Sequence, residues 1–339
     1  MNGRVEQRIA ISRLDDGVLR YRDRDVAELI SHEPFESVWG LLVDDALRPA
    51  LPADEPFPFQ FHTGDVRVDL QSAIAQIAPV WGYRSVVDTT CERLREDLAR
   101  ATALALSFVA REARGEDVPA VHQQEIDAAH SVAERFLVRW RGETDPQHVL
   151  AIDAYLSAMA EHGLTPSTRT ARLGAAKGAD AAACLSAAIA VSSGPFGGGA
   201  GARSLALIEA AEKAGDAARA VRDSFSCGPW LWGFGSADGP HLDPRAGILH
   251  ALCARLEVPR LDVAEAVERA AVATLRELVT GDETSAPAGA NAMYWGAVLL
   301  DFAGVPARML PAMFACGRAA GWSAHIIDQC SGPNPFSVS

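Results

Sequence analysis

Several short segments of the chain carry residue types that can bind an anion or move a proton. They are Glu161-His162, the glycine-rich run Gly194–Ala200, the turn Gly233–Gly235 with Arg245 downstream, and Arg318 followed by His325. Taken alone, a histidine at a helix end is most often a cap or a satisfied core residue. A glycine-rich turn before a helix is a weak sign of an anion cradle, and this run is neither a Walker A sequence nor a dinucleotide fingerprint. Neither feature by itself predicts a phosphate or nucleotide site.

A polar loop after the Gly233 turn suggests a different chemistry. Ser236, Asp238 and His241 lie close together in the chain and invite interpretation as a nucleophilic triad. Triad partners normally come from separate elements that fix their geometry, and a loop containing Gly-Pro does not supply them. We therefore interpret this segment as a solvated loop.

Helical periodicity dominates the segments that must position these residues. Ala, Leu, Arg and Glu fill the periodic stretches, and apolar residues recur at the spacing of one helix face. The clearest predicted helices are Ala151–His162, Asp180–Val191, Ser204–Ala214, Ala246–Leu256, Asp262–Val279 and Ala307–Gln329. Short alternating stretches such as Gly17–Tyr21 could pair as a small hairpin, but nothing supplies a sheet that could organise the fold. The sequence predicts an all-α fold.

Two of these helices have contrasting surfaces. Asp262–Val279 has one apolar stripe and one charged face, which is typical of a surface helix. Asp180–Val191 carries only small and apolar residues after its first position, so we expect it to be buried on all sides. Such a helix suits a dimer interface about as well as the core of a monomer.

Charge and composition limit the partners. The 339 residues include 44 acidic and 31 basic side chains, a formal net charge of −13, which disfavours nucleic acid and anionic membranes. No signal peptide and no apolar run long enough for a transmembrane helix is recognised, so we expect a cytoplasmic protein. The six cysteines show no CxxC pair and no metal-ligand spacing, so no disulfide and no metal site is predicted.

In order and spacing, these segments resemble citrate synthases and 2-methylcitrate synthases. The resemblance covers nearly the whole chain, because Gly17–Arg22 with Val26–Leu29 is similar to the amino-terminal G-x-L-x-Y-R-G-x-D-I-x-x-L motif of that family. It implies two mostly helical domains, an obligate homodimer and an active site in the cleft between the domains. By this resemblance, residues 1–198 and 305–339 form the large domain and residues 199–304 the small one.

The resemblance also implies a carboxylate-binding set that is retained here. The family condenses an acyl-CoA with a 2-oxo dicarboxylate, whose carboxylates are held by arginines. His162 matches the histidine of the family's D/E-H motif, Arg245 the arginine of D-P-R, and Arg318 the arginine that precedes A-x-G-W. We call these three residues the carboxylate clamp.

The family's acid–base residues are not retained. The family's G-P-L-H-G-G-A has Gly197 in place of its enolate-stabilising histidine, and its G-F-G-H has Ser236 in place of the ketone-polarising histidine. Met293 stands where N-V-D/E-F carries the proton-abstracting carboxylate. Losing one such group typically lowers a rate by roughly 10² to 10⁴, so we do not expect ordinary citrate synthase activity.

The coenzyme A side of the site differs as well. Ala237–Pro240 replaces a basic R-V-Y-R run, and the final residues, Ser331–Ser339, lack the family's basic R-P tail. We therefore expect coenzyme A thioesters to be disfavoured ligands, and we predict no cofactor.

Aromatic and apolar side chains stand beside the changed positions. Trp232 and Phe234 belong to the glycine turn, and Met293 is followed by Tyr294 and Trp295. A pocket lined in this way favours a bulkier and less charged ligand. About half of these aromatics, Phe234 and Trp295 among them, also fit positions where family members carry ordinary core aromatics.

These observations predict a homodimeric enzyme of altered chemistry that binds a partly apolar small carboxylate. His162, Tyr294 and Ser236 are its candidate catalytic residues, and the reaction would make, break or rearrange a carbon–carbon bond. Two alternatives stay open. One is a non-catalytic family member that senses a ligand or pairs with an active synthase, and the other is a residual citrate or 2-methylcitrate synthase.

Overall fold

The computed structural model describes residues 11–53, 62–115, 117–228, 230–235, 242–278 and 289–331. In these ranges the chain forms fifteen α-helices and three short strands. The helices are α1 (Val26–His32), α2 (Phe35–Asp44), α3 (Val66–Trp81), α4 (Cys91–Arg114), α5 (Gln123–Asp127), α6 (Val132–Arg141), α7 (Pro146–Met159), α8 (Pro166–Ala176), α9 (Ala181–Ser192), α10 (Ala200–Ala214), α11 (Ala217–Ser224), α12 (Pro244–Arg255), α13 (Leu261–Leu278), α14 (Ala292–Phe302) and α15 (Leu310–Ser331). The predicted all-α fold is confirmed.

The strands form one antiparallel sheet in the order β1 (Ser12–Asp15), β2 (Val18–Tyr21) and β3 (Arg24–Asp25). The predicted hairpin is confirmed, with Gly17 at a φ of +80° in its turn. Glycine adopts this left-handed conformation without steric cost. The Tyr21 hydroxyl donates towards the carbonyls of Ser157, Ala158 and Glu161, so the sheet is fixed to the end of α7.

The six predicted helices are present, with ends shifted by a few residues. The helix expected to begin at Ala246 begins at Pro244, because the Asp243 carboxylate accepts a hydrogen bond from the Arg245 amide and proline occupies the first helical position. The α13 helix buries only Ala264, Val267 and Ala271, which agrees with the predicted surface helix.

The α15 helix is the centre of the fold. It is buried from Leu310 to Ile326 and packs against α2, α4, α7, α8 and α9. A second group of helices forms around α14, which contacts α10 and α12. Gly296 of α14 has no room for a side chain, since a Cβ there would lie 2.9 Å from the Tyr155 ring on α7. This close approach joins the two groups. The predicted small domain, 199–304, stays a prediction.

The α9 helix is not buried on all sides, contrary to the expectation from its composition. Ala183 is exposed and Val191 is 46% exposed, while the remaining faces pack on α3 and α8. One small-residue face is therefore open in the single chain.

No helix in the described part of the chain combines the length and the apolarity that a membrane crossing needs.

Candidate active site

Three helices bring the clamp residues together. The segment that follows α7 carries Glu161 and His162, the first turn of α12 carries Arg245, and the middle of α15 carries Arg318. The backbone of this segment is held firmly, because the Gly321 amide donates to the Ala160 carbonyl and Tyr21 contacts the Glu161 carbonyl. The charges of both arginines act on His162, so the three predicted clamp residues share one site.

Arg245 is engaged by its own chain. Its Nε and Nη2 donate to the two carboxylate oxygens of Asp243 at 2.9 and 2.8 Å, and its Nη1 donates to the Ala158 carbonyl at 3.3 Å. Both side chains are buried. Burial alone would lower the pKa of Arg245 and raise that of Asp243, but their mutual attraction reverses both shifts. Asp243 also accepts from the Ala292 amide, so the arginine is fixed to the start of α14.

Arg318 has an incomplete set of partners. Its side chain is 2% exposed, and Nε donates to the Met159 carbonyl at 2.7 Å. Nη1 has no hydrogen-bond partner among the described residues. Burial lowers the pKa of Arg318, while the Glu161 carboxylate opposes that shift. A buried guanidinium with an unmet donor is energetically unfavourable, and a ligand carboxylate would satisfy it.

His162 is a neutral imidazole at physiological pH. The charge of Arg245, then burial, lower its pKa to about 3, and Arg318 acts in the same direction. A neutral ring can donate one hydrogen bond from its protonated nitrogen and accept one at the other.

Glu161 and His325 form a fully buried pair behind the clamp. The His325 Nε2 lies 3.2 Å from Glu161 Oε1, which also accepts from the Ser12 hydroxyl and the Gly163 amide. Burial alone would raise the pKa of Glu161, but the bond from His325 and the charges of His325 and Arg318 lower it. Glu161 Oε2 has no partner within the described ranges. The sequence contains no signal that Glu161 and His325 pair with each other. For the buried Asp243–Arg245 bond, the sequence signal is the spacing of the two residues in the D-P-R motif.

The groups at the site are weak bases. The pKa values of Asp243, Glu161 and His162 are all lowered, so each binds a proton less readily than in water. Efficient proton abstraction at neutral pH needs a base with a pKa near 7. These three side chains are therefore suited to binding and orientation rather than to taking a proton from carbon.

The chain is similar to known proteins over its whole length. A family model described as "Citrate synthase, C-terminal domain" matches residues 1–335. The chain belongs to the citrate synthase family. "Putative citrate synthase 2" of Mycobacterium tuberculosis is 49% identical over 316 residues, covering 93% of this chain and 84% of that protein. A 2-methylcitrate synthase of Shewanella oneidensis is 29% identical over 184 residues, 54% of this chain and 48% of that one.

Solved structures of citrate synthases share the fold. The enzyme of Thermotoga maritima superimposes with a TM-score of 0.77 at 21% identity, covering 99% of this chain and 93% of that one. A citrate synthase of Thermoplasma acidophilum, solved as a ternary complex with carboxymethyl coenzyme A and oxaloacetate, gives a TM-score of 0.79 at 19% identity, covering 97% and 91%. The expected citrate-synthase-like all-α fold is thus confirmed.

At Gly197, where the motif comparison predicts the loss of the family's histidine, the backbone leaves no room for a side chain. A Cβ built on Gly197 would lie 2.7 Å from the Ser192 carbonyl oxygen, and its nearest neighbours are all backbone atoms of that residue. The Gly198 amide donates to the same oxygen. The backbone of this loop is therefore compatible with glycine at position 197 and leaves no room there for a larger residue.

The other two positions predicted to have changed are Met293, which the structure describes, and Ser236, which it does not. Met293 is half-buried at the start of α14, where the Asn291 side chain accepts from its amide. The Asn291 amide group donates to the Gly235 carbonyl, so the glycine turn and the start of α14 are in contact. Ser236 lies outside the described residues.

The aromatic residues divide into two groups. Tyr294 and Trp295 are core residues: the Tyr294 hydroxyl donates to the Ala264 carbonyl at 2.7 Å, and Phe234 packs on the Tyr294 ring. Burial raises the pKa of Tyr294, so its phenol stays protonated. A catalytic role for Tyr294, as the sequence suggested, would require it to leave this bond. Trp232 instead packs against the Phe196 ring and the guanidinium of Arg203.

Proposed function

We propose that the chain is an enzyme of the citrate synthase family that binds a small, partly apolar carboxylate at Arg245, Arg318 and His162. Its reaction would make, break or rearrange a carbon–carbon bond without first deprotonating an acyl-CoA. The single observation that supports this most is the buried Nη1 of Arg318, which has no partner among the described residues. A bound carboxylate would satisfy this donor, and buried polar groups in native proteins usually have a hydrogen-bond partner.

The clamp residues have distinct roles in this proposal. Arg318 donates from Nη1 to one carboxylate of the substrate, and Arg245 supplies positive charge from a position that Asp243 has fixed in advance. The neutral His162 donates its N–H to a carbonyl oxygen of the substrate, where negative charge develops. Preorganised donors of this kind accelerate a reaction without taking a proton.

The lowered pKa values restrict the reaction class. A condensation that starts from a thioester needs a base for the α-proton, and Asp243, Glu161 and His162 are all weak bases. Decarboxylation of a carboxylate that lies β to a ketone, as in oxaloacetate, needs no such base, because the electron pair of the breaking carbon–carbon bond moves into the ketone to form an enolate, which donors at the oxygen stabilise. We place the reaction in this class.

Calorimetry tests the binding part of the proposal. We expect oxaloacetate to bind the wild-type protein and acetyl-CoA not to bind. Arg318→Met should lower the affinity for oxaloacetate by about 30-fold or more, since losing one partner of a buried charge pair costs roughly 2 to 5 kcal/mol of binding free energy. Arg219→Met is the matched control, because Arg219 is exposed on α11 and pairs with the exposed Asp223, and this variant should bind oxaloacetate as tightly as the wild type.

Turnover tests the chemical part. Proton NMR of the protein with oxaloacetate should show products of carbon–carbon cleavage above the spontaneous rate, and Arg318→Met should remove the excess. Citrate formation from acetyl-CoA at a rate typical of the family would contradict the proposal. Binding without any turnover would instead favour the non-catalytic alternative. The His162 imidazole gives an independent signal, since a bound carboxylate should raise its pKa from about 3.

A further inference from the structure

A cleft of about 670 Å³ lies between the hairpin turn and the helices α12 to α14. Its walls include Leu14 of the hairpin, Leu242 and Gly247 at the start of α12, Glu268 of α13 and Trp295 of α14. This volume falls within the range of about 300 to 1,000 Å³ that is typical of small-molecule sites. None of the clamp residues His162, Arg245 and Arg318 lines it in the described part of the chain. The cleft therefore contains no clamp side chain, although Asp243 in its wall is bonded to Arg245.

Gly247 is the first sign that the cleft is built for a ligand. It lies within α12, where glycine weakens a helix relative to alanine. A Cβ built on it meets no atom of the chain within 4 Å. The chain's own packing thus gives no reason for glycine here, whereas a ligand that approaches the helix backbone would.

The apolar walls are the second sign. Leu14 is 50% exposed and Leu242 is 60% exposed, and both belong to the small set of large apolar side chains left in solvent. They face one cleft from two different elements, and the buried Trp295 also contributes to its lining. The His250 ring lies 4.2 Å from the Trp295 ring and extends this wall. A ligand with an apolar body would cover these surfaces.

The charge of the cleft selects the ligand's polar group. Its described lining includes Asp243 and Glu268 but no lysine or arginine. Asp243 is already balanced by Arg245, and His250 is bonded to Glu265. Glu268 accepts a hydrogen bond from the Ala290 amide and has no ion-pair partner in the described ranges. The group that best complements Glu268 is a cation that donates hydrogen bonds.

We infer that this cleft binds a small organic ammonium compound, with the ammonium group at Glu268 and an apolar body between Leu14, Leu242 and Trp295. The ammonium donates to the Glu268 carboxylate, and the body lies on the bare backbone of Gly247. The inference does not depend on the proposed function, because it uses no clamp residue. Asp243 lines the cleft and also holds Arg245, so occupancy can act on the clamp through that carboxylate.

Calorimetry with 2-phenylethylammonium as the probe tests the inference. We expect saturable binding to the full chain, at least about tenfold tighter than binding of 3-phenylpropanoate, which has the same shape and the opposite charge. Glu268→Gln should lower the affinity for the probe about tenfold or more, because the charge-assisted hydrogen bond is lost. Glu277→Gln removes the same charge from an exposed position on the same helix and should leave the affinity unchanged.

Filling the cleft gives a second, independent readout. Gly247→Leu should lower the probe's affinity by about 30-fold or more, while Gly247→Ala should keep it within about threefold. Both variants should melt at or above the wild-type temperature, since the added atoms meet open space. The inference is overturned if the probe shows no saturable binding, if the anionic analogue binds equally well, or if Gly247→Leu binds like the wild type. Should Gly247→Leu fail to fold, the Glu268→Gln comparison decides.

Discussion

Arg245 and Asp243, two residues apart at the start of α12, bond through Nε and Nη2 to the two carboxylate oxygens while both side chains are buried. Arg245→Met would leave the Asp243 charge buried and unpaired. We expect this variant to lose about 3 to 5 kcal/mol of unfolding free energy, as for other buried pairs that lose one partner. Arg245→Met combined with Asp243→Asn should recover most of the loss. Urea denaturation of the three proteins measures it.

Arg318→Met is the contrasting variant. Arg318 donates to the Met159 carbonyl, and no carboxylate bonds to it among the described residues. Replacing its buried charge with an apolar side chain of similar length should leave the unfolding free energy unchanged or raise it. A loss as large as that of Arg245→Met would show that Arg318 has a structural role that its hydrogen bonds do not reveal.

Sequence reasoning predicted the elements better than it predicted the contacts. The helices and the hairpin follow from periodicity and turn chemistry, and they appear with small shifts at their ends. The assignment of Met293 and Gly197 as changed positions rests on motif spacing and stays a prediction. The direction in which Tyr294 points was not predicted, because its bond to Ala264 depends on how α13 packs against α14. Likewise, an exposed face on α9 could not be read from a composition that is uniformly small and apolar.

Gly197 restricts any attempt to restore the family's histidine. A Cβ at this position would lie 2.7 Å from the Ser192 carbonyl oxygen, which is backbone and cannot move cheaply. We expect Gly197→Ala to destabilise the protein by about 1 to 3 kcal/mol, and Gly197→His to do so at least as much. Replacing Gly197, Ser236 and Met293 together by the family's residues should therefore not recover synthase activity in this backbone.

Gly194→Ala is the matched control for Gly197→Ala. Gly194 lies in the same loop, and a Cβ there meets nothing within 4 Å. Thermal melting of the two variants should show a clear drop for position 197 and almost none for position 194. Equal melting temperatures would mean that the loop relaxes freely, and the histidine could then be reintroduced.

Asp153 makes the stability depend on pH. Its Oδ1 accepts from the Phe35 amide at the start of α2, and burial raises its pKa to about 7. A carboxyl group with a raised pKa in the folded state stabilises the protein fully below its unfolded pKa of about 4 and loses that contribution as the pH rises through 7. We expect the wild-type protein to be less stable at pH 8 than at pH 5 for this reason.

Asp153→Asn isolates the effect. The amide oxygen can still accept from Phe35, but the side chain no longer ionises. The excess of this variant over the wild type in unfolding free energy should grow by roughly 2 to 4 kcal/mol between pH 5 and pH 8. Asp117→Asn, at an exposed position, should show no such difference. If the unfolding free energies of the wild type and Asp153→Asn changed in parallel with pH, Asp153 would not be the source of the pH dependence.

The open face of α9 predicts how two copies of the chain meet. Ala183, Ala187 and Ala190 follow helical spacing, Ala183 is exposed, and the other two are half-buried in the single chain. Small side chains let two helix backbones approach closely, and a two-fold axis through such a face buries it against itself. We therefore expect a homodimer in solution with α9 at its interface, as the family resemblance also implies.

Ala187→Glu should convert this dimer to a monomer. Two-fold symmetry would bring two carboxylates into one apolar contact, where unpaired charges are strongly disfavoured. Light scattering coupled to size-exclusion chromatography should report about half the wild-type mass, with the circular dichroism of a folded helical protein. Ala273→Glu introduces the same charge on the exposed side of α13 and should remain dimeric. A dimer that survives Ala187→Glu would place the interface on another surface, and a wild-type monomer would exclude the pairing altogether.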